Sequence, residues 1–333
     1  MKRLTVVILV FVLLLSAVSC TSKERGVSEG LEKVRVILDY LPNTNHTGLY
    51  VALERGYYEE EGFDVEIMQP SEGTTETLIA TGKGEFGISY QEDVTYARTA
   101  EEPLPIKAIA AIIQHNTSCF ASYEPKGIES PKDFEGKIYT GWGSPAEEAI
   151  IRAVMEKAGA DFSKLEIVAG DDVGFAALKD KIDLTWVYYG WTGIEAKMQD
   201  FPMNYIEIRS LEERLDFYTP IIIASEELIE KEPELIKRFL SATKKGYMDS
   251  IEDPTKAADI LADAVPEYDR EFLRESQKYL STKYMEDTDR WGEMKESVWD
   301  NYTGFMLENE LITKDMPANE AFTNEFLPNY ESE

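Results

Sequence analysis

The stretch VRVILDY, residues 34–40, followed by LPNTNHTGLYVALERG, residues 41–56, decides the fold class of this chain. Its first part is an apolar, β-branched run that predicts a buried strand, and residues 47–55 predict a helix that ends at Gly56. The same alternation continues along the chain, with strands expected at 64–69, 85–90 and 106–113 and helices at 74–81 and 91–99. This rhythm predicts a parallel sheet flanked by helices.

A second unit repeats the rhythm. Strands are expected at 137–142, 165–168, 184–189 and 205–208, and helices at 145–158, 175–179 and 192–199. Residues 218–224 predict a strand that returns to the first unit, and the pattern from 226 onward is helical. We therefore expect an α/β protein of two lobes with a hinged cleft between them, divided as 33–115 plus 220–333 and 116–219, with crossings near 114–118 and 216–220. In open α/β sheets, ligands bind outside the carboxyl ends of the strands.

The beginning of the chain predicts export. A positive start precedes an apolar run at 4–18, which at about 15 residues is shorter than the roughly 20 that a membrane span needs. Residues 1–19 are therefore interpreted as a secretory signal. The tetrapeptide AVSC, residues 17–20, resembles the bacterial lipobox and predicts lipid attachment at Cys20; an ordinary signal peptide with a bystander cysteine is the alternative. Residues 20–32 are polar and predict a tether.

Composition narrows the class of protein. The 43% apolar fraction, with 18 Tyr and 5 Trp, is that of a globular protein. Cys119 is the single thiol after Cys20, so no internal disulfide is expected. The net charge of −29 excludes nucleic acid as a partner. Solubility in a salty or alkaline exterior explains this charge, and steering of a cationic solute is the alternative.

The sequence offers no metal-ligand spacing and no nucleophile elbow, because its two histidines are far apart and GxSxG is absent. Candidate binding residues instead follow the predicted strands. Tyr40 provides a flat ring for stacking, and Asn43 shares its strand-to-helix turn. His46 could contact a ligand, or pack beside a helix cap supplied by its neighbours.

Two further turns offer polar groups. Gln91 begins a predicted helix and carries both a donor and an acceptor, although starting the helix is an equally good explanation. Trp142 and Ser144 lie in a Gly-Trp-Gly-Ser-Pro turn whose free N–H groups suit an anion or a carbonyl. Ser144 as a simple N-cap is the alternative.

The segment WVYYGWTGIE, residues 186–195, is the richest in aromatic side chains. Strand alternation sends about half of them into the core, so Tyr188 and Tyr189 point to opposite faces. Trp191 follows in the turn and could stack on a planar ligand. Glu195 could accept two hydrogen bonds from an amino-heterocycle, or be a solvated helix charge.

Several stretches together resemble the family that joins fungal thiamine-pyrimidine synthase to bacterial binding proteins for thiamine precursors. They are LDYLPN at 38–43, His46, YVA at 50–52, GYY at 56–58, EG at 61–62, GKGEFG at 82–87 and GWG at 141–143. The resemblance covers about residues 33–265. It implies the type II periplasmic-binding-protein fold.

The resemblance also separates a carrier from an enzyme. The synthase of this family has a cofactor lysine and a sacrificial histidine where Ser89 and Asp93 stand here, and cysteines where residues 217–220 read FYTP. Without the lysine no Schiff base with pyridoxal phosphate can form. The resemblance therefore implies a protein without cofactor or catalytic activity.

Within the carriers, the resemblance implies a ligand held by a strand-end aromatic, a tyrosine and a glutamate, roles that match Tyr40, Tyr188 or Tyr189, and Glu195. We expect a lipid-anchored, extracytoplasmic, monomeric solute-binding protein that delivers a formylaminopyrimidine or hydroxymethylpyrimidine to an ABC permease for thiamine salvage. Riboflavin or another planar heteroaromatic is the alternative cargo, and a pyrimidine-synthase-like enzyme is the alternative class.

Overall fold

The computed structural model describes residues 30–70, 73–170 and 174–328. The predicted signal segment, Cys20 and most of the tether lie outside these residues. No helix in the described ranges combines the length and the apolar character needed to cross a bilayer. The described strands are β1 Glu32–Ile37, β2 Phe63–Met68, β3 Phe86–Ser89, β4 Ile106–Ala111, β5 Ser118–Tyr123, β6 Ile138–Gly141, β7 Glu166–Ala169, β8 Leu184–Tyr188, β9 Met203–Glu207 and β10 Ile221–Ser225.

Helices connect these strands and make up most of the chain after β10. They are α1 Thr47–Glu54, α2 Tyr57–Glu60, α3 Thr75–Ala80, α4 Gln91–Thr99, α5 Pro145–Lys157, α6 Phe175–Asp180, α7 Ile194–Met198, α8 Ile208–Leu211, α9 Glu226–Lys231, α10 Pro233–Glu252, α11 Pro254–Ala264, α12 Arg270–Leu280, α13 Glu296–Glu308 and α14 Ala318–Ala321. A π-helical turn, Tyr189–Gly193, joins β8 to α7.

The strands form two five-stranded sheets, one in each lobe, so the predicted two-lobe α/β class is confirmed. The first has the order β2-β1-β3-β10-β4 and the second β7-β6-β8-β5-β9. The prediction of parallel sheets was wrong for one strand in each. β10 runs antiparallel to β3 and β4, and β5 runs antiparallel to β8 and β9. Each of these is the first strand after a crossing, where the chain enters the sheet from its cleft edge.

The chain passes between the sheets at residues 112–117 and again at 208–220. In the first of these passages His115 contacts two carboxylates. Its Nδ1 lies 2.7 Å from Asp216, in the second passage, and its Nε2 lies 3.0 Å from Asp287. β5 follows directly, in the run SCFASY, which lies at and beyond the crossing expected at 114–118. Small polar residues interrupt the apolar pattern of this strand, which explains why periodicity did not reveal it.

Helix α13 joins the lobes a third time. Its Trp299 is buried in the core of the first lobe, whereas Tyr302, Phe305 and Met306 are buried in the core of the second. The sequence prediction assigned all of 220–333 to the first lobe. The structure instead makes this helix a part of both hydrophobic cores.

The core of the first lobe forms where α1 and α10 cover one face of its sheet. Phe86 of β3 stacks on Phe239 of α10 with ring centroids 3.8 Å apart. The two helices approach so closely that a Cβ atom built on Gly246 would lie 2.0 Å from the carbonyl oxygen of Gly48. Close contact between these helices holds α1, and with it the turn before α1, against the sheet.

Candidate functional site

A cavity of about 670 Å³ lies between the lobes, at the carboxyl ends of β1, β3, β6 and β8. Both lobes contribute walls, and the volume is within the 300–1,000 Å³ range typical of small-molecule sites. Four segments at strand ends, residues 39–46, 89–93, 142–144 and 188–195, contribute lining residues. Residues 114–116 do not, although the adjacent Thr117 does.

The cavity has an aromatic wall made of Tyr40, Trp142, Trp186, Tyr188 and Trp191. Tyr40 comes from the first lobe and the others from the second. Tyr40 is 67% exposed, Trp142 49% and Tyr188 41%, which is unusual for such large rings. Trp142 packs edge-on against Trp186 with ring centroids 5.2 Å apart. Aromatic surface open to a cleft from both lobes can enclose a flat ligand between rings.

The cavity also has an acidic floor, which we define as Asp39, Glu92 and Asp93 of the first lobe and Glu147 of the second. Among the described residues that line the cavity, none is a lysine, arginine or histidine. The carboxyl groups interact across the cleft, because repulsion from Glu147 raises the pKa of Glu92 in addition to the larger effect of burial. The cavity is therefore electronegative.

Asp39 is fixed by two donors. Its side chain is 4% exposed; Oδ1 lies 2.7 Å from Nε2 of His46, and Oδ2 accepts a hydrogen bond from the Tyr90 hydroxyl. The Nδ1 atom of His46 accepts from the backbone N–H of Asn43 at 3.1 Å. Nε2 then carries the proton that His46 donates to Asp39. Burial alone would raise the pKa of Asp39, but attraction to His46 and these hydrogen bonds lower it overall.

Two other carboxylates of the acidic floor also have protein donors. Glu92 accepts from the hydroxyl of Tyr302 on α13. Glu147 accepts from the Tyr139 hydroxyl and, at 2.6 Å, from the backbone N–H of Gly143. These bonds fix the positions of both carboxylates while leaving lone pairs for a ligand.

Asp93 is different, because no described residue donates a hydrogen bond to its carboxyl group. It lies on the first turn of α4, half-buried beside the other acids. Burial, followed by repulsion from Glu76, Glu92 and Asp39, raises the pKa of Asp93 to about 7. Its neighbours therefore leave Asp93 available to accept a hydrogen bond from a ligand.

The structure brings five of the predicted site residues to the cavity: Tyr40, Asn43, Trp142, Tyr188 and Trp191. Asn43 also caps the turn that follows it, since its side chain accepts from the backbone N–H of Asn45 at 2.9 Å. Desolvation within the cleft, together with the nearby acids, raises the pKa of the Tyr188 hydroxyl to about 12.

Three predicted residues lie behind the cavity wall. His46 is fully buried and contacts two residues that line the cavity, Asp39 and Asn43. Gln91 is buried, accepting from the backbone N–H of Tyr218 at 2.9 Å and donating to the carbonyl of Val298 at 3.1 Å. Ser144 acts as the N-cap of α5, accepting from the backbone N–H of Glu147 at 3.1 Å. Gln91 and Ser144 therefore take the structural roles that the sequence left open for them.

Strand alternation places Tyr188 and Tyr189 on opposite faces, and in the structure Tyr188 lines the cavity whereas Tyr189 does not. Tyr189 packs against Tyr205 of the second lobe and Tyr279 of α12, with ring centroids 5.0 and 4.9 Å away. Glu195 does not line the cavity; its Oε1 accepts from Gln199 Nε2 at 2.9 Å. The reason is the short helix α7, which buries the residues on either side of Glu195 and leaves its carboxylate facing outward.

Sequence reasoning missed Glu147 and Trp186 as cavity residues. Glu147 stands at the third position of α5, where an acid is usually explained by the helix dipole. In the structure Gly141 makes room for this acid, because a Cβ there would meet Glu147 Oε1 at 1.7 Å. Trp186 was identified in the aromatic segment, and its indole N–H is buried without a partner among the described residues.

Nothing in the described part of the chain suggests a metal or a reactive thiol. No group of three or more His, Cys, Asp or Glu residues there could hold a metal ion. Cys119 is buried, and burial raises the pKa of its thiol to about 12. A thiol held in its protonated form is a poor nucleophile.

The family model described as NMT1/THI5 like matches residues 43–257. The chain belongs to the NMT1/THI5-like family. The match includes every residue of the aromatic wall except Tyr40, and all of the acidic floor except Asp39. The suspected family is therefore confirmed.

Relatives in this family include both carriers and enzymes. The chain is 27% identical to the formylaminopyrimidine-binding protein of Halalkalibacterium halodurans over 97% of this chain and 99% of that protein. It is 24% identical to the riboflavin-binding protein RibY of Chloroflexus aurantiacus, covering 90% and 87% of the two chains. It is also 24% identical to the 4-amino-5-hydroxymethyl-2-methylpyrimidine phosphate synthase of Legionella pneumophila, covering 89% and 92%.

Solved structures establish the architecture. The periplasmic aliphatic sulphonate binding protein SsuA of Escherichia coli superimposes with a TM-score of 0.66, at 14% identity, over 91% of this chain and 96% of that one. The predicted two-lobe periplasmic-binding-protein fold is thereby confirmed. At this identity the likeness concerns the fold and carries no information about the ligand.

Proposed function

We propose that this protein is the extracytoplasmic solute-binding component of an ABC importer and that it binds a thiamine-related pyrimidine. The observation that carries the proposal is the cleft, where aromatic surface from both lobes borders a floor of carboxylates. An aminopyrimidine is flat enough to stack between Tyr40 and Trp191, and its amino group donates hydrogen bonds that carboxylates accept. The similarity to a formylaminopyrimidine-binding protein over almost the full chain supports this cargo.

The proposal includes delivery to a membrane partner. A lipid on Cys20 would hold the protein at the membrane through the tether of residues 20–32. The lobes would close over the ligand and present a combined surface to the permease. We propose that a single chain performs this task, because both walls of the cavity belong to one chain.

Catalysis does not enter the proposal, because residues expected of the synthase are absent. Ser89 stands where the resemblance places the cofactor lysine, and its hydroxyl donates to Glu76 in a buried pair. Asp93 stands where the resemblance places the sacrificial histidine. A hydroxyl and a carboxyl at these positions supply no amine for a Schiff base.

The first test is ligand-dependent stability. We expect formylaminopyrimidine to raise the Tm of the secreted form that begins at Thr21, because a ligand at about 100 times its Kd adds roughly 2.7 kcal/mol. Thermal unfolding with and without formylaminopyrimidine measures this. A Tm unchanged by formylaminopyrimidine at millimolar concentration would contradict the pyrimidine proposal.

Riboflavin is the second candidate cargo, favoured by the number of aromatic rings around the cavity and by the similarity to a riboflavin-binding protein. If the purified protein is yellow, or if riboflavin alone raises its Tm, the protein is a carrier of riboflavin and not of a pyrimidine. Turnover of a pyrimidine by the purified protein would instead favour an enzyme.

Glu195→Gln provides a test of the site's geometry. Since Glu195 lies outside the cavity and is bonded to Gln199, we expect the Kd for formylaminopyrimidine to change by less than about twofold. The sequence interpretation placed Glu195 on the amino edge of the ligand, and the loss of a charged hydrogen bond would cost roughly 1.5–3 kcal/mol, or tenfold and more. Isothermal titration of the variant distinguishes these outcomes. A tenfold loss of affinity would show that Glu195 contacts the ligand.

A further inference from the structure

Asp93 differs from the other three acids of the acidic floor because no described residue donates a hydrogen bond to it. Asp39, Glu92 and Glu147 each accept from at least one tyrosine hydroxyl. Asp93 lines the same cavity and has no such donor. The Asp93 side chain is half-buried and borders the cavity, so its carboxyl group can accept a hydrogen bond from a ligand that carries N–H donors.

The surroundings of Asp93 contain acids and phenols. The titratable groups that face it, from its own helix and from the elements packed around it, are Glu92 and Tyr96 on α4, Glu76 on α3, Asp39 and Tyr90 at the strand ends, Tyr188 on β8 and Tyr302 on α13. No basic group contributes to its environment. The field at this point of the cavity is therefore negative and lacks a protein counter-charge.

We propose that the cleft binds its heteroaromatic ligand as a cation, with the carboxylate of Asp93 as the principal counter-ion. This inference rests on the proposed carrier function and specifies its cargo: a flat aromatic cation that carries N–H donors, of which a protonated aminopyrimidine is an example. A neutral flavin offers no positive charge to this floor. Asp93 thus becomes the residue that selects between the two cargoes considered above.

The aromatic wall is suited to the same class of ligand. A cation within about 6 Å of a Trp or Tyr ring is attracted by the ring's quadrupole, and the attraction grows when water is excluded. Trp142, Trp191 and Tyr40 border the cavity whose floor is acidic. A ligand lying between them would therefore meet negative potential both at its edge and at its faces.

Proton linkage gives the proposal a distinctive signature. With a pKa of about 7, Asp93 is mostly protonated at pH 6 and mostly ionised at pH 8 in the free protein. A permanently cationic probe binds the ionised form, so its affinity rises with pH. For one linked proton with this pKa, the affinity at pH 8 exceeds that at pH 6 by about tenfold.

The experiment measures binding by isothermal titration calorimetry with thiamine, whose thiazolium is permanently charged, and with formylaminopyrimidine and riboflavin as comparison probes. Asp93→Asn should weaken thiamine binding at pH 8 by about tenfold or more and abolish its pH dependence. Asp64→Asn removes the same charge from the exposed face of β2 and should change the Kd by less than twofold. Thermal unfolding checks the fold, and Asp93→Asn should not lower the Tm, since it relieves repulsion.

The outcomes separate the two proposals. If thiamine or formylaminopyrimidine binds with the same affinity in Asp93→Asn and at both pH values, the carrier function stands and the inference about Asp93 is overturned. If riboflavin binds more tightly than either pyrimidine, the cationic class is also overturned. If none of the three probes binds, the heteroaromatic carrier function fails together with the inference.

Discussion

Gly246→Ala is expected to lower the free energy of unfolding by about 3 kcal/mol. A Cβ at this position would lie 2.0 Å from the carbonyl oxygen of Gly48 and 2.8 Å from the backbone nitrogen of Ala52. Both are backbone atoms of α1, so neither can rotate away as a side chain could. The two helices would have to separate, at the expense of the close packing that holds α1 on the sheet.

The matched control is Gly304→Ala in α13. Gly304 is exposed and helical, and a Cβ there would have no heavy atom within 4 Å. Because alanine is a better helix former, this variant should gain up to about 1 kcal/mol. Urea unfolding measures the free energy of unfolding of the two variants. Their difference separates the effect of the steric clash from that of helix propensity. Equal stabilities would show that α1 and α10 can move apart at little cost.

A displacement of α1 from the sheet would also displace residues of the ligand site. The turn that carries Asn43 immediately precedes α1, and the hydroxyl of Tyr247, next to Gly246, donates to the carbonyl of Asn45 at 2.8 Å. We therefore expect Gly246→Ala to weaken ligand binding as well as folding, whereas Gly304→Ala should leave binding unchanged. Stability and binding are linked here because one helix supports both.

Much of the fold could be predicted from the sequence because its strands are short apolar runs bounded by turn residues. β3 and α4 were expected at 85–90 and 91–99 and are found at Phe86–Ser89 and Gln91–Thr99. β5 was missed because SCFASY has a polar or small residue at most positions. Its burial results from its central place between β8 and β9, which is a property of the assembled sheet.

The candidate site was predicted less completely, for a related reason. The rule that ligands bind at the carboxyl ends of strands brought Tyr40, Trp142 and Tyr188 to the cavity. The same rule cannot tell which side chains of a turn face inward, and Gln91 and Ser144 were drawn into structural hydrogen bonds instead. Glu147 entered the site from within a helix, where no strand end indicated it.

Asp39→Ala is expected to lower the free energy of unfolding by about 3 kcal/mol, because it removes the acceptor from two buried donors. His46 Nε2 and the Tyr90 hydroxyl both donate to this carboxylate, and hydrogen bonds to a charged group contribute about 1.5–3 kcal/mol each. Asp39→Asn keeps an oxygen that can accept from His46 and should lose only about half as much. Urea unfolding at pH 7 compares the two, and equal losses would show that charge, and not the acceptor, matters.

The pH dependence of the same comparison follows from the lowered pKa of Asp39. A carboxyl whose folded pKa lies below its unfolded value, near 4, contributes stability that is complete above that value and is lost as the pH falls through the folded pKa. The difference in unfolding free energy between wild type and Asp39→Asn should therefore be constant from pH 7 to about 5 and shrink below pH 4. If the difference persists to pH 2, the contribution of Asp39 to stability does not depend on its negative charge. Since Asp39 joins His46 and Tyr90 to the acidic floor, acid should loosen the ligand site at the same pH at which this difference disappears.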